Sequence, residues 1–125
     1  MEIILSPNAP APIGPYSQAI LEGNLLFCSG QIALDPKTGV MLAGSIEEEA
    51  HQVLTNVEAL LTAGGANFSS IIKTTIFLTD MNDFAKVNEI YGARLGDAKP
   101  ARSTVAVSAL PKGGRIEIEC IARVL

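Results

Sequence analysis

The chain has 125 residues, which is one domain's worth, and we expect a single domain over 1–125 with one hydrophobic core. Its 9 Lys and Arg residues against 13 Asp and Glu residues give a formal net charge of −4, which disfavours a nucleic-acid partner. Hydrophobic residues make up 48% of the chain and charged residues only 18%, so apolar surface is expected to be covered by other copies in a homo-oligomer.

The first predicted element is a β-hairpin, which follows a proline-rich N-terminal arm. Strand-like runs at 17–21 and 25–30 flank Glu22-Gly23-Asn24, where Gly and Asn tolerate the positive φ angles of a tight turn. A further turn is predicted at 35–39, which contains Asp, Pro and Gly.

A capping box predicts the start of the first helix. Ser45 and Glu48 have the required spacing, and apolar residues recur with a helical period from Ile46 to Leu61. Gly64-Gly65 predicts the end of this helix.

A strand and a second helix are predicted in the middle of the chain. Residues 71–79 are rich in β-branched side chains, and both faces of the strand are partly apolar. The alternation assigns Ile72, Thr74, Ile76 and Leu78 to one face and Ile71, Lys73, Thr75, Phe77 and Thr79 to the other. The second helix is expected to run from a cap at Asp80 or Asn82 through Phe84 and Tyr91 toward Gly96.

Two strands complete the prediction, at 104–110 and 115–124, joined by a connection at 111–114. The last strand alternates almost strictly, which predicts one core face and an outer face that carries Glu117 and Glu119. The order ββαβαββ favours an α+β fold in which both helices pack on one face of a mixed β-sheet. The other face needs a cover because Ile71, Thr75 and Phe77 are poorly suited to water, and a neighbouring subunit is expected there.

Metal and disulfide chemistry are not indicated by the residue types. Cys28 and Cys120 lie far apart, and His51 is the single histidine, so we expect no metal and reduced thiols in a cytoplasmic protein. The N-terminal segment has no basic region of the kind found in secretory signals, and no apolar stretch has the length of a membrane span.

Two features are candidates for chemistry. Arg102 lies where a proline-led loop enters a strand, and a guanidinium there can hold a carboxylate through two parallel hydrogen bonds. A solvated loop arginine or an intersubunit ion pair is the structural alternative. Glu117 and Glu119 face whatever covers the sheet, where desolvation raises a carboxyl pKa and suits it to proton transfer; an ordinary exposed polar face is the alternative.

Several segments together resemble the YjgF/RidA family of reactive imine/enamine deaminases. These segments are Ile13-Gly14-Pro15-Tyr16-Ser17-Gln18-Ala19, Ser29-Gly30-Gln31-Ile32, Asp80-Met81-Asn82-Asp83-Phe84 with Val87-Asn88 and Tyr91, Pro100-Ala101-Arg102-Ser103, Leu110-Pro111-Lys112 and Ile116-Glu117-Ile118-Glu119. The resemblance covers essentially the whole chain. It implies a chorismate-mutase-like fold assembled as a homotrimer with sites between subunits. It also implies cofactor-free hydrolysis of 2-imino and 2-enamino acids, such as 2-aminoacrylate, to 2-keto acids and ammonia.

The resemblance assigns the two catalytic roles to Arg102 and Glu117. Arg102 matches the arginine that holds the substrate carboxylate, and Glu117 matches the acid that positions the attacking water. Tyr16 is expected to wall the pocket, and Glu119 is expected to be structural.

The resemblance also implies binding residues around this pair. Ser29 and Gly30 are expected beside the ligand, with the glycine allowing close backbone approach, and Asn88 near the cleft. Position 104 is Thr104, where many deaminating relatives carry cysteine, so substrate contact there is expected from the main chain.

Three other functions stay open at this stage. One is a non-catalytic protein that binds a small carboxylate such as a 2-keto acid, and a second is a chaperone-like holdase or scaffold. A third is RNA cleavage, which has been attached to relatives, although the net charge of −4 and the single histidine count against it.

Overall fold

A six-stranded mixed β-sheet with two α-helices is the framework of the molecule in a computed structural model, which describes residues 1–124. The elements are β1 (Glu2–Ile4), β2 (Ala19–Glu22), β3 (Leu25–Gln31), α1 (Ile46–Ala63), β4 (Ile71–Leu78), α2 (Phe84–Leu95), β5 (Ala101–Ala106) and β6 (Ile116–Arg123). The strands lie in the order β1-β2-β3-β6-β4-β5, with β4 and β5 parallel and the other pairs antiparallel. The predicted α+β class is confirmed.

The N-terminal region contains a strand that the sequence pattern did not predict. β1 pairs with β2 ahead of the prolines that begin at Pro7, and its three residues are too few to show an alternating pattern. The predicted hairpin between β2 and β3 is confirmed. Its two-residue turn is Gly23-Asn24, and Gly23 has the positive φ of 60° that the turn requires.

The capping box at the start of α1 is present. Ser45 Oγ accepts from the Glu48 amide at 3.1 Å, and Glu48 Oε1 accepts from the Ser45 amide at 3.1 Å. These hydrogen bonds, with the backbone one first, lower the pKa of the Glu48 carboxyl. The helix ends at Ala63, where the amide of Gly64 bonds to carbonyls of the last turn.

A bulge in β4 overturns part of the predicted facing of that strand. The second half of β4 faces as predicted, but Ile71 is buried and Ile72 is 46% exposed, the reverse of the assignment. The register against β6 shifts between Ile71 and Lys73, and one extra residue reverses the alternation at that point. Ile71 therefore belongs to the core and gives no reason for a cover on the outer face.

The last two strands place the candidate residues. β6 alternates as predicted, with Ile116, Ile118, Cys120 and Ala122 buried. β5 begins at Ala101, before the predicted start at Thr104, so Arg102 lies within a strand and not in a loop. Pairing with Thr74 of β4 extends the strand to include it.

The core lies between the helices and one face of the sheet, because α1 packs on β3, β6 and α2. The opposite face, which we call the open face, carries the outward side chains of Ile20, Phe27, Thr75, Phe77, Val105, Glu117, Glu119 and Ile121. Phe27 and Val105 are each 42% exposed. Apolar side chains grouped on a sheet face are typical of an interface.

The two helices do not have the properties of membrane spans. In the part of the chain that the structure describes, neither one is long and apolar enough to cross a bilayer.

Candidate functional site

A cavity of about 280 Å³ lies on the open face, where β6 meets β3 and the N-terminal arm. The residues that line it come from three segments: Pro10, Ala11, Ile13, Tyr16 and Gln18 from the arm; Ser29, Gly30, Gln31, Ile32 and Leu34 from the end of β3 and beyond; and Pro111 and Glu117 from around the start of β6. Four of the predicted site residues, Tyr16, Ser29, Gly30 and Glu117, thus share one cavity.

A bulge in β3 forms the floor of this cavity. Cys28 pairs with Cys120 and Gln31 pairs with Ile118, so β3 has one residue more than β6 between these two pairs. Such a bulge interrupts the ladder and bends the strand, which turns the segment containing Ser29 and Gly30 away from regular pairing. The sheet therefore opens directly beside Glu117.

Gly30 provides the space that the Glu117 carboxyl occupies. A Cβ atom at Gly30 would lie 2.8 Å from Glu117 Cδ and 3.1 Å from Glu117 Cγ, which is closer than such atoms approach. The close backbone approach at Gly30 is therefore to the Glu117 carboxyl, whereas contact of Gly30 with a ligand stays a prediction. An internal glycine in a strand is the sequence signal for a bulge or a close approach.

The environment of Glu117 favours its protonated form. Burial raises the pKa of the Glu117 carboxyl, and the negative charge of Glu119 raises it further. In residues 1–124 no cation lies within ion-pair distance of Glu117 to offset this. A carboxyl whose pKa is raised holds a proton more readily than an ordinary glutamate, which suits it to accept and return one.

Ser29 and Tyr16 have defined hydrogen-bonding states at the cavity. Ser29 Oγ donates to the carbonyl of Ser17 at 2.6 Å, so its oxygen is left to accept a hydrogen bond. The Tyr16 hydroxyl accepts from the Ile13 amide at 3.4 Å, and its ring is 49% exposed at the rim. Tyr16 therefore lies among the residues that line the cavity, and its role as a wall of a substrate pocket stays a prediction.

Arg102 lies in a separate cluster, against α2. Its Nη1 donates to Asn88 Oδ1 at 2.7 Å, and its guanidinium lies 5.1 Å from the centre of the Tyr91 ring and 5.7 Å from that of Phe84. Arg102 is exposed, and no carboxylate among residues 1–124 forms an ion pair with it. A cation held by two rings and an amide presents its remaining N–H groups to a planar anion.

Tyr91 supports this cluster and was not among the predicted site residues. Its hydroxyl lies 2.7 Å from Thr74 Oγ1 in the core, which fixes the ring that faces Arg102. Burial raises the pKa of Tyr91, against the opposing effects of the Thr74 hydrogen bond and the Arg102 charge. The spacing of Phe84, Asn88 and Tyr91 along one helix face is the sequence signal that could have identified this support.

Thr104 is on the same strand as Arg102 and, two residues on, faces the same side of the sheet. Within residues 1–124 its Oγ1 is buried and has no hydrogen-bond partner. β5 is also the edge strand of the sheet, so its outer backbone groups have no strand partner in the described chain.

The chain does not bring Arg102 and Glu117 together. The contacts of Arg102 with α2 put it on the helix side of the sheet, whereas Glu117 faces the open side. β4 separates their two strands, and two strand spacings amount to about 10 Å. One chain therefore holds two half-sites on opposite faces.

The remaining candidates for chemistry lie elsewhere. Within the described residues, no group of three or more His, Cys, Asp and Glu side chains is placed to hold a metal ion. Cys28 and Cys120 face each other in the core, where their mutual hydrogen bond and then burial raise the pKa of Cys120. His51 lies on the outer surface of α1, with its Nδ1 3.2 Å from Arg94 Nη1.

Known proteins resemble this chain over nearly its full length. The family model described as endoribonuclease L-PSP matches residues 6–124. A RutC family protein of Pyrococcus horikoshii is 55% identical over 121 residues, which are 97% of this chain and 96% of that protein. The 2-iminobutanoate/2-iminopropanoate deaminase of Bos taurus is 47% identical over 121 residues, which are 97% of this chain and 88% of the deaminase.

A solved structure extends the comparison to the fold. The crystal structure of E. coli TdcF with bound serine superposes with a TM-score of 0.95 at 41% sequence identity and covers 100% of both chains. The bound molecule in that structure is a small amino acid.

Proposed function

The chain belongs to the endoribonuclease L-PSP family, which is the YjgF/RidA family, and from this premise we propose that it hydrolyses reactive 2-imino acids and their enamine tautomers to 2-keto acids and ammonia. Relatives in this family carry deaminase names. The observation that carries the proposal is Glu117, a carboxyl of raised pKa in a cavity large enough for a small acid. The two free, buried thiols support a reducing, cytoplasmic location.

We propose that the working site forms between neighbouring subunits of a homotrimer. Each chain offers a carboxylate-binding half at Arg102 and a proton-transfer half at Glu117, on opposite faces of its sheet. A second copy seated against the open face and the β5 edge supplies the missing half to each site. The exposed Phe27 and Val105 support this placement, since they need a cover.

Substrate binding in this scheme begins with the carboxylate. Arg102 holds both carboxylate oxygens through parallel N–H donors, and Asn88 and Tyr91 keep the guanidinium in place. The backbone of Thr104, next along the same face, is available to orient the imine nitrogen. Ser29 Oγ, whose proton is engaged by Ser17, accepts a hydrogen bond from the protonated imine.

The chemistry needs one group that accepts and returns a proton. Glu117 takes a proton from water while the water oxygen bonds to C2 and the imine nitrogen becomes an amine. Glu117 then returns the proton to that nitrogen, and as the C2–N bond breaks the hydroxyl oxygen forms the double bond to C2 and passes its own proton back to the Glu117 carboxylate, which leaves the keto acid and ammonia. Imines already hydrolyse in water, so positioning supplies most of the acceleration.

Three competing functions make different demands on the same residues. A protein that only binds a small carboxylate needs Arg102 but does not need the acid–base property of Glu117. A chaperone-like holdase needs neither residue. RNA cleavage, which the family description names, is disfavoured by the net charge of −4.

The decisive experiment generates imino acids in situ with an amino-acid oxidase and lets semicarbazide compete for them. The wild-type protein is expected to lower semicarbazone formation in proportion to its concentration, and Glu117→Gln is expected to abolish this effect. Glu47→Gln, which removes a half-buried carboxyl in the first turn of α1 that forms no ion pair within residues 1–124, is the matched control. The absence of a dose response in the wild-type protein refutes the deaminase proposal.

Carboxylate binding separates the enzyme from a sensor. If the protein is an enzyme, Glu117→Gln retains binding of a 2-keto acid, measured by calorimetry, while turnover is lost. Arg102→Lys is expected to weaken this binding, because an ammonium cannot form two parallel hydrogen bonds to a carboxylate. Arg123→Lys, at the far end of β6, is the control and is expected to leave the binding unchanged. Unchanged turnover in Glu117→Gln would exclude the proposed mechanism.

A further inference from the structure

The N-terminal arm is not held in place by strand pairing. Prolines at positions 7, 10, 12 and 15 remove backbone donors, so the arm between β1 and β2 cannot join the sheet as a strand. Nevertheless its residues Pro10, Ala11 and Ile13 form a wall of the cavity that contains Glu117. A residue that is itself fixed to the sheet has to hold this wall in place.

Gln18 is that residue. Its Oε1 accepts from the Ser6 amide at 2.7 Å, and its Nε2 lies 2.9 Å from the Pro10 carbonyl, 3.1 Å from that of Ser6 and 3.3 Å from that of Ala9. Gln18 is only 3% exposed. The buried side-chain amide of Gln18 therefore pairs with one backbone N–H of the arm and with several of its carbonyl oxygens. Each of these groups would cost stability if it were buried without a partner.

Gln18 is also fixed to the cavity floor. Its backbone carbonyl accepts from the Ser29 amide at 3.0 Å, in the bulge that makes room for Glu117. The side chain of Gln18 binds the arm that forms the cavity wall, and its main chain binds the bulge that forms the cavity floor. Gln18 therefore fixes the position of the wall relative to the floor. An amide is required here because a carboxylate would offer no donor to the carbonyls.

We propose that Gln18 is a positioning residue, which clamps residues 6–10 so that the arm stays closed over the Glu117 cavity. The kinetic consequences of this inference rest on the proposed function. The structural claim, that Gln18 holds the arm in place, is independent of the proposed function. Closure of the arm also contributes to the burial of Glu117. Release of the arm is therefore expected to lower the pKa of Glu117 and to move the acid limb of the pH–activity profile to lower pH. The other titratable groups near Glu117 are Tyr16 in the cavity lining and Glu119 on the same strand, and the substitution leaves both in place.

The test compares Gln18→Leu with the wild-type protein by amide hydrogen exchange and by kinetics. Exchange at Ser6 and at the other amides of segment 5–13 is expected to accelerate, while α1 and β4 keep their protection. The ratio kcat/KM for an imino acid is expected to fall on the order of tenfold to a hundredfold, mainly through KM, and the acid limb of its pH profile is expected to move down. Asn82→Leu, which removes an exposed amide whose side chain makes no hydrogen bond within residues 1–124, is the control and should behave as wild type.

The possible outcomes separate the clamp from the deaminase function. Unchanged exchange in the arm overturns the clamp, and faster exchange with an unchanged KM and pH profile overturns the positioning role. If the wild-type protein shows no turnover, the proposed function fails, and exchange alone then decides the clamp. If Gln18→Leu does not fold, Gln18→Asn replaces it, because its shorter amide cannot reach both Ser6 and Pro10.

Discussion

At the scale of single residues, Glu117 is placed for chemistry at a cost to stability. Its carboxyl is partly buried without a cation and next to the charge of Glu119, and both effects raise its pKa. Because the folded state binds this proton more tightly than the unfolded chain, ionisation of Glu117 lowers the free energy of unfolding. Active sites commonly carry such a penalty.

This penalty predicts a pH-dependent stability difference. Glu117→Gln is expected to match the wild-type free energy of unfolding at pH values below the ordinary glutamate pKa of 4.5. As the pH rises from there through the raised pKa, the wild-type protein loses stability relative to the variant, and above it the variant stays more stable. Urea denaturation at several pH values and one protein concentration measures this. A variant that is less stable than wild type at neutral pH would contradict the account.

Gly30 is expected to act on activity through Glu117. Gly30→Ala places a Cβ where the carboxyl lies, so Glu117 has to move, and kcat is expected to fall on the order of 100-fold. The double variant Gly30→Ala with Glu117→Gln provides the control. It should lose no more activity than Glu117→Gln alone, since both changes remove the same group. Multiplied losses would show that Gly30 acts through something else.

At the scale of elements, α1 fixes the start of β6 and with it the position of Glu117. Glu49 is 2% exposed and accepts from Arg115 Nε at 2.7 Å, the Arg115 amide at 2.6 Å and the Ile116 amide at 3.2 Å. Arg115 also donates from Nη2 to the Gly44 carbonyl just before the helix. One carboxylate thus satisfies backbone donors where β6 begins.

Removal of this carboxylate is expected to destabilise the fold. Glu49→Gln weakens a buried, charge-assisted network and should lower the free energy of unfolding by about 3 kcal/mol. Glu47→Gln, two residues away, removes a half-buried carboxyl that forms no ion pair within residues 1–124 and should change it by less than about 0.5 kcal/mol. Chemical denaturation of both variants at equal concentration makes the comparison. Equal stability of the two would show that the Glu49 network contributes nothing.

The elements that the sequence predicted well are those in which a periodic pattern continues over many residues and local residues mark the ends. The capping box at Ser45 and the alternation of β6 depend only on residues close in the chain, and both are present. The bulges at Ile71 and at Ser29–Gly30 depend on the register of a partner strand distant in sequence, which no local pattern contains. For the same reason, the sequence selected Gly30 as a position of close backbone approach but did not show that the Glu117 carboxyl is the group that lies against it.

The candidate site was predictable by residue type but not by geometry. The motif resemblance selected Tyr16, Ser29, Gly30 and Glu117, which share a cavity, and Arg102 with Asn88, which share a hydrogen bond. That these groups form two half-sites on opposite faces depends on strand order, which the one-dimensional pattern leaves open. The contacts of Gln18 could not be predicted for a similar reason, because its partners lie in the proline-rich arm, which has no periodic pattern of apolar residues.

At the scale of the whole molecule, the open face connects composition to function. The surplus of hydrophobic residues predicted an oligomer, and Phe27 and Val105 are apolar groups on the face opposite the helices. If subunits meet there, a buried charge in this face prevents assembly. Phe27→Asp is therefore expected to shift the protein to monomers and to abolish imine hydrolysis together.

Light scattering after size exclusion measures the assembly, and the semicarbazide competition measures the activity. Val40→Asp is the control, because Val40 is 63% exposed and is not among the side chains that make up the open face. It should leave both assembly and activity as in wild type. A monomeric Phe27→Asp protein with full activity would show that one chain suffices.

The shared site is tested most directly by complementation between two inactive variants. Arg102→Ala retains Glu117, and Glu117→Gln retains Arg102, so mixed oligomers made by co-expression contain some sites with one intact half from each chain. For sites between neighbouring subunits, random mixing of equal amounts restores about a quarter of the wild-type activity, while each variant alone stays inactive. If mixed oligomers form and activity stays at the level of the separate variants, Arg102 and Glu117 do not act across a subunit boundary and the account is contradicted.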